Sequence, residues 1–509
     1  MRRNHPGRAV LASALTALLA SACGSTVAMT STATGGVGDG LGGATSAPTV
    51  GGGSSSTGLG GTTGSALGST AGGTGAGSAP GAVGTQGGAG TGSGVPGAVG
   101  GVTAANAPIK IGIVLTSTAS VQAAGFSSGE SYSERTVDQA LVDALNRTGG
   151  FGGHKIVPVY ASTDPNSSNW SADFAAACAT FTQDNHVAAV LGYQFNYDQS
   201  FETCLSKNGV PHLTTGFNIP DATELAKHPL HRALAVPTID LRSSSKLNGA
   251  LQDGWLTTKS KVGAVIDSCP GTQASWNRVS KPFLDSHRIP YILYVSGCAS
   301  GSADGANGAQ QVPGALLKMR QEGVTAITFL TVSEGPALAV VSNAAESQGW
   351  RPLYIVSSLA NLSALSGNAS VVPPAQMANV KGYGWMPAQD LSPRSQPPLT
   401  AGQKRCLALL KSEKVVPANF GDFTNAYRIC DGVFAYELAL KADGTNTSGT
   451  AVIAALDGLG TAFSDPDVLD GATLLNRSRA NNAPSHLRAV VFDKSCSCFV
   501  YTGRPRPLE

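Results

Sequence analysis

The chain has 509 residues, of which only 13% are charged, and its formal net charge is +2. Such a weak charge excludes an extended basic surface, so we expect no nucleic-acid partner. Beyond the N-terminus the sequence has no run of 18 apolar residues, and we therefore predict no membrane-spanning helix there.

The first 23 residues have the features of a lipoprotein signal peptide. Three arginines precede an apolar segment, 9–20, that is too short to span a bilayer. The segment ends near Ala22-Cys23-Gly24, which resembles a bacterial lipobox, although Leu19 lies one position further from the cysteine than in the usual pattern. The resemblance implies that a lipid on Cys23 anchors the protein to the outer face of the cell membrane. An ordinary signal-peptidase site is the alternative.

Residues 24–107 consist mainly of Gly, Ser, Thr and Ala, with hardly a charge and no periodicity. Such a segment cannot bury enough apolar area to offset the entropy of ordering it. We therefore expect a disordered tether of about 84 residues with a root-mean-square span of roughly 50 Å.

The folded part is predicted to open with a strand, a helix and a second strand. Ile109 to Leu115 is the near-continuous apolar run of a buried parallel strand. Ser133 to Asn146 has the apolar spacing of an amphipathic helix, and Gly149-Gly150 ends it. Lys155 to Tyr160 is the next strand. Together they form a βαβ unit, which belongs to a parallel sheet.

The end of that helix carries the most specific motif of the chain. It reads Asn146-Arg147-Thr148-Gly149-Gly150-Phe151-Gly152-Gly153, and Asp164-Pro165 follows the second strand. These residues resemble type I periplasmic binding proteins, and most of all the branched-chain amino-acid-binding proteins of ABC importers. The resemblance extends, more faintly, from about Ile109 to Tyr501. It implies an α/β fold of two Rossmann-like lobes with parallel sheets, joined by a three-strand hinge.

Further elements follow the same alternation. Strands are predicted at 186–192, 210–214, 261–267, 289–295, 326–330 and 353–356, and helices at 171–183, 243–257, 314–322, 335–348, 402–413 and 422–442. The resemblance implies crossovers between lobes at Val236-Pro237-Thr238 and at Pro387. Lobe 1 would then comprise 108–236 plus 387–484, and lobe 2 would comprise 237–386 plus 485–509. Three crossings make a hinge that permits closure around a ligand.

The chain has nine cysteines, and removal of Cys23 leaves eight, an even number that is typical of an exported protein with disulfides. They fall in neighbouring pairs: Cys178 and Cys204, Cys269 and Cys298, Cys406 and Cys430, Cys496 and Cys498. The resemblance supports the first pair, because related proteins often bridge the second helix to the following strand region. A zinc site is the alternative, but no pair has C-x-x-C spacing and no histidine lies within five residues of these cysteines. We predict disulfides and no metal.

Sequence motifs of catalysis are scarce. The chain has no H-E-x-x-H, no P-loop, and no G-x-S-x-G elbow outside the tether. Ser243-Ser244-Ser245-Lys246 matches the S-x-x-K of penicillin-recognising enzymes, but no K-T-G or S-D-N partner follows in order. We expect the serine to cap a helix and Lys246 to face solvent. The eight histidines are scattered, and we expect packing or surface roles for them. We predict no enzymatic activity and no cofactor.

Ligands of open α/β sheets bind outside the carboxyl ends of the strands, which makes the loops 116–120, 193–198 and 215–218 the candidates in lobe 1. The candidate ligand-binding residues are Ser117, Asn196, Tyr197, Gly216, Phe217 and Asn218 from lobe 1 and Glu334 and Ser358 from lobe 2. Related receptors hold a ligand carboxylate with hydroxyls and backbone N–H groups of the first lobe, and an ammonium partly from the second.

In an alignment with those receptors, Asn196 occupies the position of the family's hydroxyl residue after the third strand. Gly216 and Asn218 occupy the positions of the family's alanine and threonine after the fourth strand. Glu334 falls near a family tyrosine and Ser358 at a family glutamate. These changes argue against an aliphatic α-amino acid as the ligand. The alternative is that Asn and Gly serve only the turns, and that some of the loop aromatics belong to the core.

The sequence thus predicts an extracytoplasmic, lipid-anchored, monomeric solute-binding protein. It would deliver a small polar ligand, such as an amino acid or an amide, to an ABC permease in the membrane. A ligand sensor that signals through a second chain and an envelope interaction protein with a degenerate cleft are the alternatives.

Overall fold

The structure, a computed structural model, describes residues 107–117, 129–164, 167, 169–192, 197–215, 221–298, 302–331, 334–366, 371–475 and 483–508. Its strands are β1 Ile109–Thr116, β2 Ile156–Thr163, β3 Ala189–Gly192, β4 His212–Thr214, β5 His231–Ala233, β6 Val262–Asp267, β7 Tyr291–Ser296, β8 Ala326–Leu330, β9 Leu353–Ser357, β10 Val380–Gly384, β11 Thr473–Leu474, β12 Ala483–Pro484, β13 His486–Asp493 and β14 Cys498–Pro507.

The helices are α1 Glu134–Arg147, α2 Trp170–Ala179, α3 Gln199–Lys207, α4 Ala222–Lys227, α5 Ile239–Gln252, α6 Pro270–Ser275, α7 Lys281–Ser286, α8 Ser302–Gln321, α9 Glu334–Ser347, α10 Leu362–Ser366, α11 Pro374–Met377, α12 Pro387–Asp390, α13 Ala401–Ser412, α14 Phe420–Ala442 and α15 Gly449–Leu459. Thr180–Asp184 and Trp276–Ser280 are π-helical turns, and Ser358–Ala360, Pro393–Ser395 and Leu469–Gly471 are 3₁₀ turns.

The first sheet is parallel throughout and has the order β2-β1-β3-β4-β5. Helices cover both of its faces, as a parallel sheet requires. One face packs on α1, α14 and α15 in a core that includes Leu141, Val433 and Leu456. The other face packs on α2 and α3 through Phe174 and Phe201.

The second sheet has the order β14-β13-β10-β9-β8-β6-β7. Strands β6 to β10 pair in parallel, whereas β13 pairs antiparallel with β10 and with β14. Helix α5 covers one face, and α8 and α9 cover the other. The chain therefore passes between the sheets three times, after β5, after β10 and before β13. The predicted α/β class with two parallel sheets is confirmed, whereas the exact lobe boundaries stay a prediction.

The motif at the end of α1 has a clear structural cause. The side-chain amide of Asn146 pairs with the backbone of Ile156 at the start of β2, as the backbone of a neighbouring strand would. It accepts from Ile156 N–H (2.7 Å) and donates to Ile156 O (2.9 Å). Gly150 has a φ of +64°, and a Cβ at this position would lie 2.0 Å from His154 O. Only glycine fits this turn, which returns the chain from the helix into the sheet.

The structure places the sulfur atoms of all four predicted cysteine pairs at bonding distance. Their Cα separations are 6.4 Å for Cys178–Cys204, 4.8 Å for Cys269–Cys298, 5.9 Å for Cys406–Cys430 and 5.1 Å for Cys496–Cys498. These values lie within the range of protein disulfides. Cys23 and residues 24–106 of the predicted tether lie outside the described residues. None of the described helices combines the length and the hydrophobicity needed to cross a bilayer.

Candidate ligand site

Hydroxyl groups stand at the carboxyl ends of the first sheet's strands. Ser117, which follows β1, is half-buried, and its N–H donates to Thr163 O (2.8 Å), which extends the β1–β2 ladder. Thr215, which follows β4, is fully buried, and its hydroxyl donates to Arg428 O (3.4 Å). The strands are parallel, so both groups lie at the same edge of the sheet.

A carboxyl group lies against the end of β1. Glu134 begins α1, and its Oε2 accepts from Thr116 N–H (2.8 Å). Burial raises the pKa of Glu134 to about 7, although this hydrogen bond and the charge of Arg428 act in the opposite direction. The Thr116 hydroxyl is buried and makes no hydrogen bond to any residue that the structure describes. Thr116 opens the predicted candidate loop 116–120, whereas Glu134 was not predicted, since its contact depends on how α1 packs on the sheet.

Glu334, the first residue of α9, is completely buried and takes part in an internal ion pair. Its Oε1 lies 2.8 Å from Lys246 Nζ, and its Oε2 accepts from the N–H (2.6 Å) and the hydroxyl (2.9 Å) of Ser357. Arg242, one helical turn before Lys246, places Nε 3.9 Å from the same Oε1 and donates to Thr331 O (3.0 Å). Protein groups therefore already surround the carboxylate that we assigned to the ligand.

The expected position of Lys246 was wrong. Its side chain is only 2% exposed and also donates to Phe329 O. Helix α5 begins at Ile239 and is capped by the Thr238 hydroxyl, which accepts from Leu241 N–H (3.4 Å), so a serine of the S-x-x-K motif does not cap it. This start turns Lys246 towards the second sheet. Burial lowers the pKa of Lys246, although Glu334 acts to raise it.

Ser358 follows β9 and is also completely buried. Its hydroxyl donates to Asp390 Oδ2 (2.9 Å) and accepts from the N–H groups of Trp385 (2.8 Å) and Met386 (3.2 Å). Asp390 Oδ2 also accepts from Tyr501 (2.6 Å). Ser358 thus holds the chain where it leaves β10, and its hydrogen-bonding capacity is used within the protein.

A polar network connects this point to the first sheet. With its amide oxygen facing Arg428, Gln389 accepts from the guanidinium (3.1 Å) and donates to Ser358 O (3.3 Å). Arg428 belongs to α14, which packs on the first sheet. Burial raises the pKa values of Asp390 and Asp467 to about 7, and the charge of Arg428 partly offsets the effect on Asp467. These carboxyls hold protons more tightly than exposed aspartates do.

Tyr197 lies beside histidines at the β5 edge of the first sheet. Its hydroxyl donates to Glu224 Oε1 (3.3 Å), and its ring stacks on His231 with centroids 6.2 Å apart. Burial raises the pKa of the Tyr197 hydroxyl, and the nearby carboxylates of Glu202 and Glu224 raise it further.

Four of the eight predicted ligand contacts are therefore described: Ser117, Tyr197, Glu334 and Ser358. The hydrogen bonds described above give each of these four residues its own set of partners, and the four sets share no residue. Asn196, Gly216, Phe217 and Asn218 lie outside the described residues. The assignment of all eight to a ligand stays a prediction.

No protein-family model and no curated protein matches the chain. Solved structures match its fold. A fatty acid ABC transporter substrate-binding protein from Thermomonospora curvata aligns with a TM-score of 0.57 at 15% identity, over 80% of this chain and 94% of that one. A solute-binding protein from R. palustris in complex with 4-hydroxybenzoate aligns with a TM-score of 0.57 at 14% identity, over 78% and 96%.

A branched-chain amino acid transporter substrate-binding protein from Streptococcus pneumoniae, in complex with isoleucine, aligns with a TM-score of 0.53 at 15% identity. That alignment covers 78% of this chain and 99% of the other. At such identities the likeness concerns the fold, and it confirms the predicted fold of type I periplasmic binding proteins.

Proposed function

We propose that this chain is an extracytoplasmic solute-binding protein that delivers a small polar ligand to an ABC permease. The observation that carries the proposal is the topology: one parallel sheet and one sheet that is parallel except at β13 and β14, connected by three passages of the chain, with polar side chains at the strand ends. A fold of this kind closes around a ligand by a hinge motion. Each of the three similar solved structures aligns with this chain over nearly its full length, and each is described as a substrate-binding or solute-binding protein of an ABC transporter or amino acid transporter.

The ligand that we propose is a small organic acid, with amino acids as one subclass. Fatty acids, 4-hydroxybenzoate and isoleucine, the compounds named for the three similar structures, all carry a carboxylate. Backbone N–H groups and hydroxyls at the strand ends of the first sheet suit such an anion. The Glu334 carboxylate already has Lys246 and Ser357 as partners, so it offers little to an ammonium group. This favours acids without an α-ammonium.

The residues that we propose to contact the ligand from the first sheet are Ser117, Asn196, Tyr197, Gly216, Phe217 and Asn218. Glu334 and Ser358 would form the opposite side. Both side chains make hydrogen bonds within the protein, so we propose that they mainly hold the C-terminal end of β9 and the start of α9 in place. They would contact only the edge of the ligand.

The remaining parts of the proposal rest on the sequence. A lipid on Cys23 would hold the protein at the outer membrane face, and residues 24–107 would let it reach a permease. Lobe 1 would comprise 108–236 plus 387–484, and lobe 2 would comprise 237–386 plus 485–509. We propose that the protein acts as a monomer, because both sides of the proposed binding site would come from one chain.

A thermal-shift screen with aromatic acids, fatty acids, amino acids, amides and sugars tests the proposal. We expect organic acids to raise the unfolding temperature. For the best compound, Ser117→Ala should weaken binding roughly tenfold, the loss of one hydrogen bond. Ser286→Ala, at an exposed serine that ends α7, is the matched control and should leave the affinity unchanged. Equal affinities of both variants would contradict the proposed position of the ligand.

A further inference from the structure

Three buried side chains with metal-binding atoms meet at the β5 edge of the first sheet. Glu202 lies on α3, and His212 and His231 begin the neighbouring strands β4 and β5. Their exposed fractions are 1%, 2% and 1%. One ligand atom of each residue lies within 4.8 Å of the corresponding atoms of the other two. All three residues belong to a helix or a strand, so no loop residue contributes to the cluster.

The carboxylate lies between the two imidazoles. Glu202 Oε1 is 2.8 Å from His212 Nδ1, and Oε2 is 3.5 Å from His231 Nδ1. The imidazole rings are stacked, with centroids 5.1 Å apart and an interplanar angle of 17°. The two Nδ1 atoms therefore face the same carboxylate.

His231 is the residue whose state needs an explanation. It is buried, and neither ring nitrogen makes a hydrogen bond to any residue that the structure describes. A neutral imidazole has an N–H that must donate and a lone pair that must accept, and buried groups of this kind are rarely left without partners. A metal ion on Nδ1 would use the lone pair that now has no donor.

An aromatic ring and several charged groups surround His231. Tyr197 stacks on His231 from the other side, at 6.2 Å and 10°. Its hydroxyl donates to Glu224, whose Oε1 also lies 3.1 Å from His228 Nε2. A divalent ion with one carboxylate and two neutral imidazoles would carry a net charge of about +1. The Glu224 carboxylate lies nearby but is itself paired with Lys227 at 2.7 Å.

We propose that Glu202, His212 and His231 bind one Zn²⁺ ion. Two imidazoles and one carboxylate suit zinc, whereas Ca²⁺ and Mg²⁺ prefer sites made of oxygen alone. Three protein ligands leave one coordination position for water or another small molecule. The ion would connect α3 to β4 and to the edge strand β5, so it would stabilise this end of the first sheet. The inference does not depend on the transport role, because it concerns a different set of residues.

Metal analysis of the full-length, untagged protein tests the site. The protein is saturated with Zn²⁺ without reductant, so that the cysteines stay paired, and is then dialysed. We expect one Zn²⁺ per chain. Glu202→Gln and His231→Ala should each weaken the affinity for Zn²⁺ by at least about tenfold. His186→Asn is the matched control: this histidine is exposed, its φ of +50° suits asparagine, and its loss should leave zinc binding unchanged.

A second measurement keeps the test decisive if the variants do not fold. Co²⁺ added to the metal-free wild-type protein should produce visible ligand-field absorption that saturates at one equivalent, and excess Zn²⁺ should abolish it. Zn²⁺ should also raise the unfolding temperature, whereas Mg²⁺ should not. A wild-type protein without stoichiometric zinc and without cobalt absorption would overturn the proposal. Folded His231→Ala protein that retains the full zinc content would overturn it as well.

Discussion

Replacement of Lys246 by methionine tests the buried ion pair behind the strand ends of the second sheet. Lys246 is 2% exposed, and its partner Glu334 is not exposed at all. Methionine keeps most of the side-chain volume but removes the ammonium group that lies 2.8 Å from Glu334 Oε1. The carboxylate would then stay buried with the Ser357 groups as hydrogen-bond donors and with Arg242, whose Nε lies 3.9 Å away, as its remaining positive partner. Removal of one partner of a buried pair typically costs about 3–5 kcal/mol, which we expect for the free energy of unfolding.

An exposed lysine of the same kind supplies the control. Lys281 pairs with Asp285 at 2.7 Å, but the two side chains are 43% and 44% exposed. Lys281→Met should therefore cost about 0.5 kcal/mol or less. In the double variant Lys246→Met/Glu334→Gln no charge of the pair remains buried, so we expect it to be more stable than Lys246→Met alone.

The assay is equilibrium unfolding in guanidinium chloride, followed by circular dichroism with the disulfides intact. Equal losses for Lys246→Met and Lys281→Met would refute our reasoning. The cycle also needs Glu334→Gln alone. If the loss of the double variant equalled the sum of the losses of Lys246→Met and Glu334→Gln, our reasoning would be refuted as well, because additivity would mean that the two groups do not interact.

Three further predictions concern protonation, backbone strain and anchoring. Burial raises the pKa of Asp467 to about 7, so the folded state keeps a proton that the unfolded state releases. The contribution of Asp467 to the free energy of unfolding is therefore complete below about pH 4 and falls as the pH rises towards 7, by up to about 1.4 kcal/mol per pH unit. Asp467→Asn should flatten this slope when urea unfolding is measured at several pH values. Identical slopes would contradict the raised pKa. Gly150→Ala should lower the unfolding midpoint, because its Cβ would lie 2.0 Å from His154 O, whereas Gly458→Ala, in a helix with open space around it, should be neutral or stabilising. Metabolic labelling with a fatty acid should mark the wild-type protein but not Cys23→Ser, and full label on that variant would exclude the lipid anchor.

The opening βαβ unit could be predicted within one residue at most of its boundaries, because several signals agree there, although β2 extends three residues beyond the predicted end. A buried strand, an amphipathic helix and a glycine-rich turn occur in order, and Asn146 and Gly150 have local roles that the sequence displays. Strand β8 likewise has the predicted bounds, since the run Ala326–Leu330 is short and apolar except for Thr328.

Other elements were misplaced where a local signal conflicted with tertiary packing. Helix α8 was predicted to begin at 314, after Pro313, but it starts at Ser302 and contains that proline. Strand β10 was overlooked because its sequence includes two glycines, although Gly382 is needed there: a Cβ would lie 2.6 Å from Val356 O. Glycine weakens a strand pattern in a sequence while permitting close approach in a structure.

The site was the hardest part to predict because its contacts join distant residues. Lys246 and Glu334 are 88 positions apart, and no local sequence pattern indicates that they pair. His212 and His231 come together only because β4 and β5 are adjacent in the sheet. The strand ends could be located from periodicity, whereas the partners of each polar group depend on how the helices pack.

Calorimetric titration of the purified protein with the best organic acid from the screen tests the central claim most directly. We predict saturable binding of one ligand per chain, with a dissociation constant in the micromolar range or below and an affinity that falls in Ser117→Ala but not in Ser286→Ala. Absence of saturable binding by every organic acid and amino acid of the screen would contradict the account.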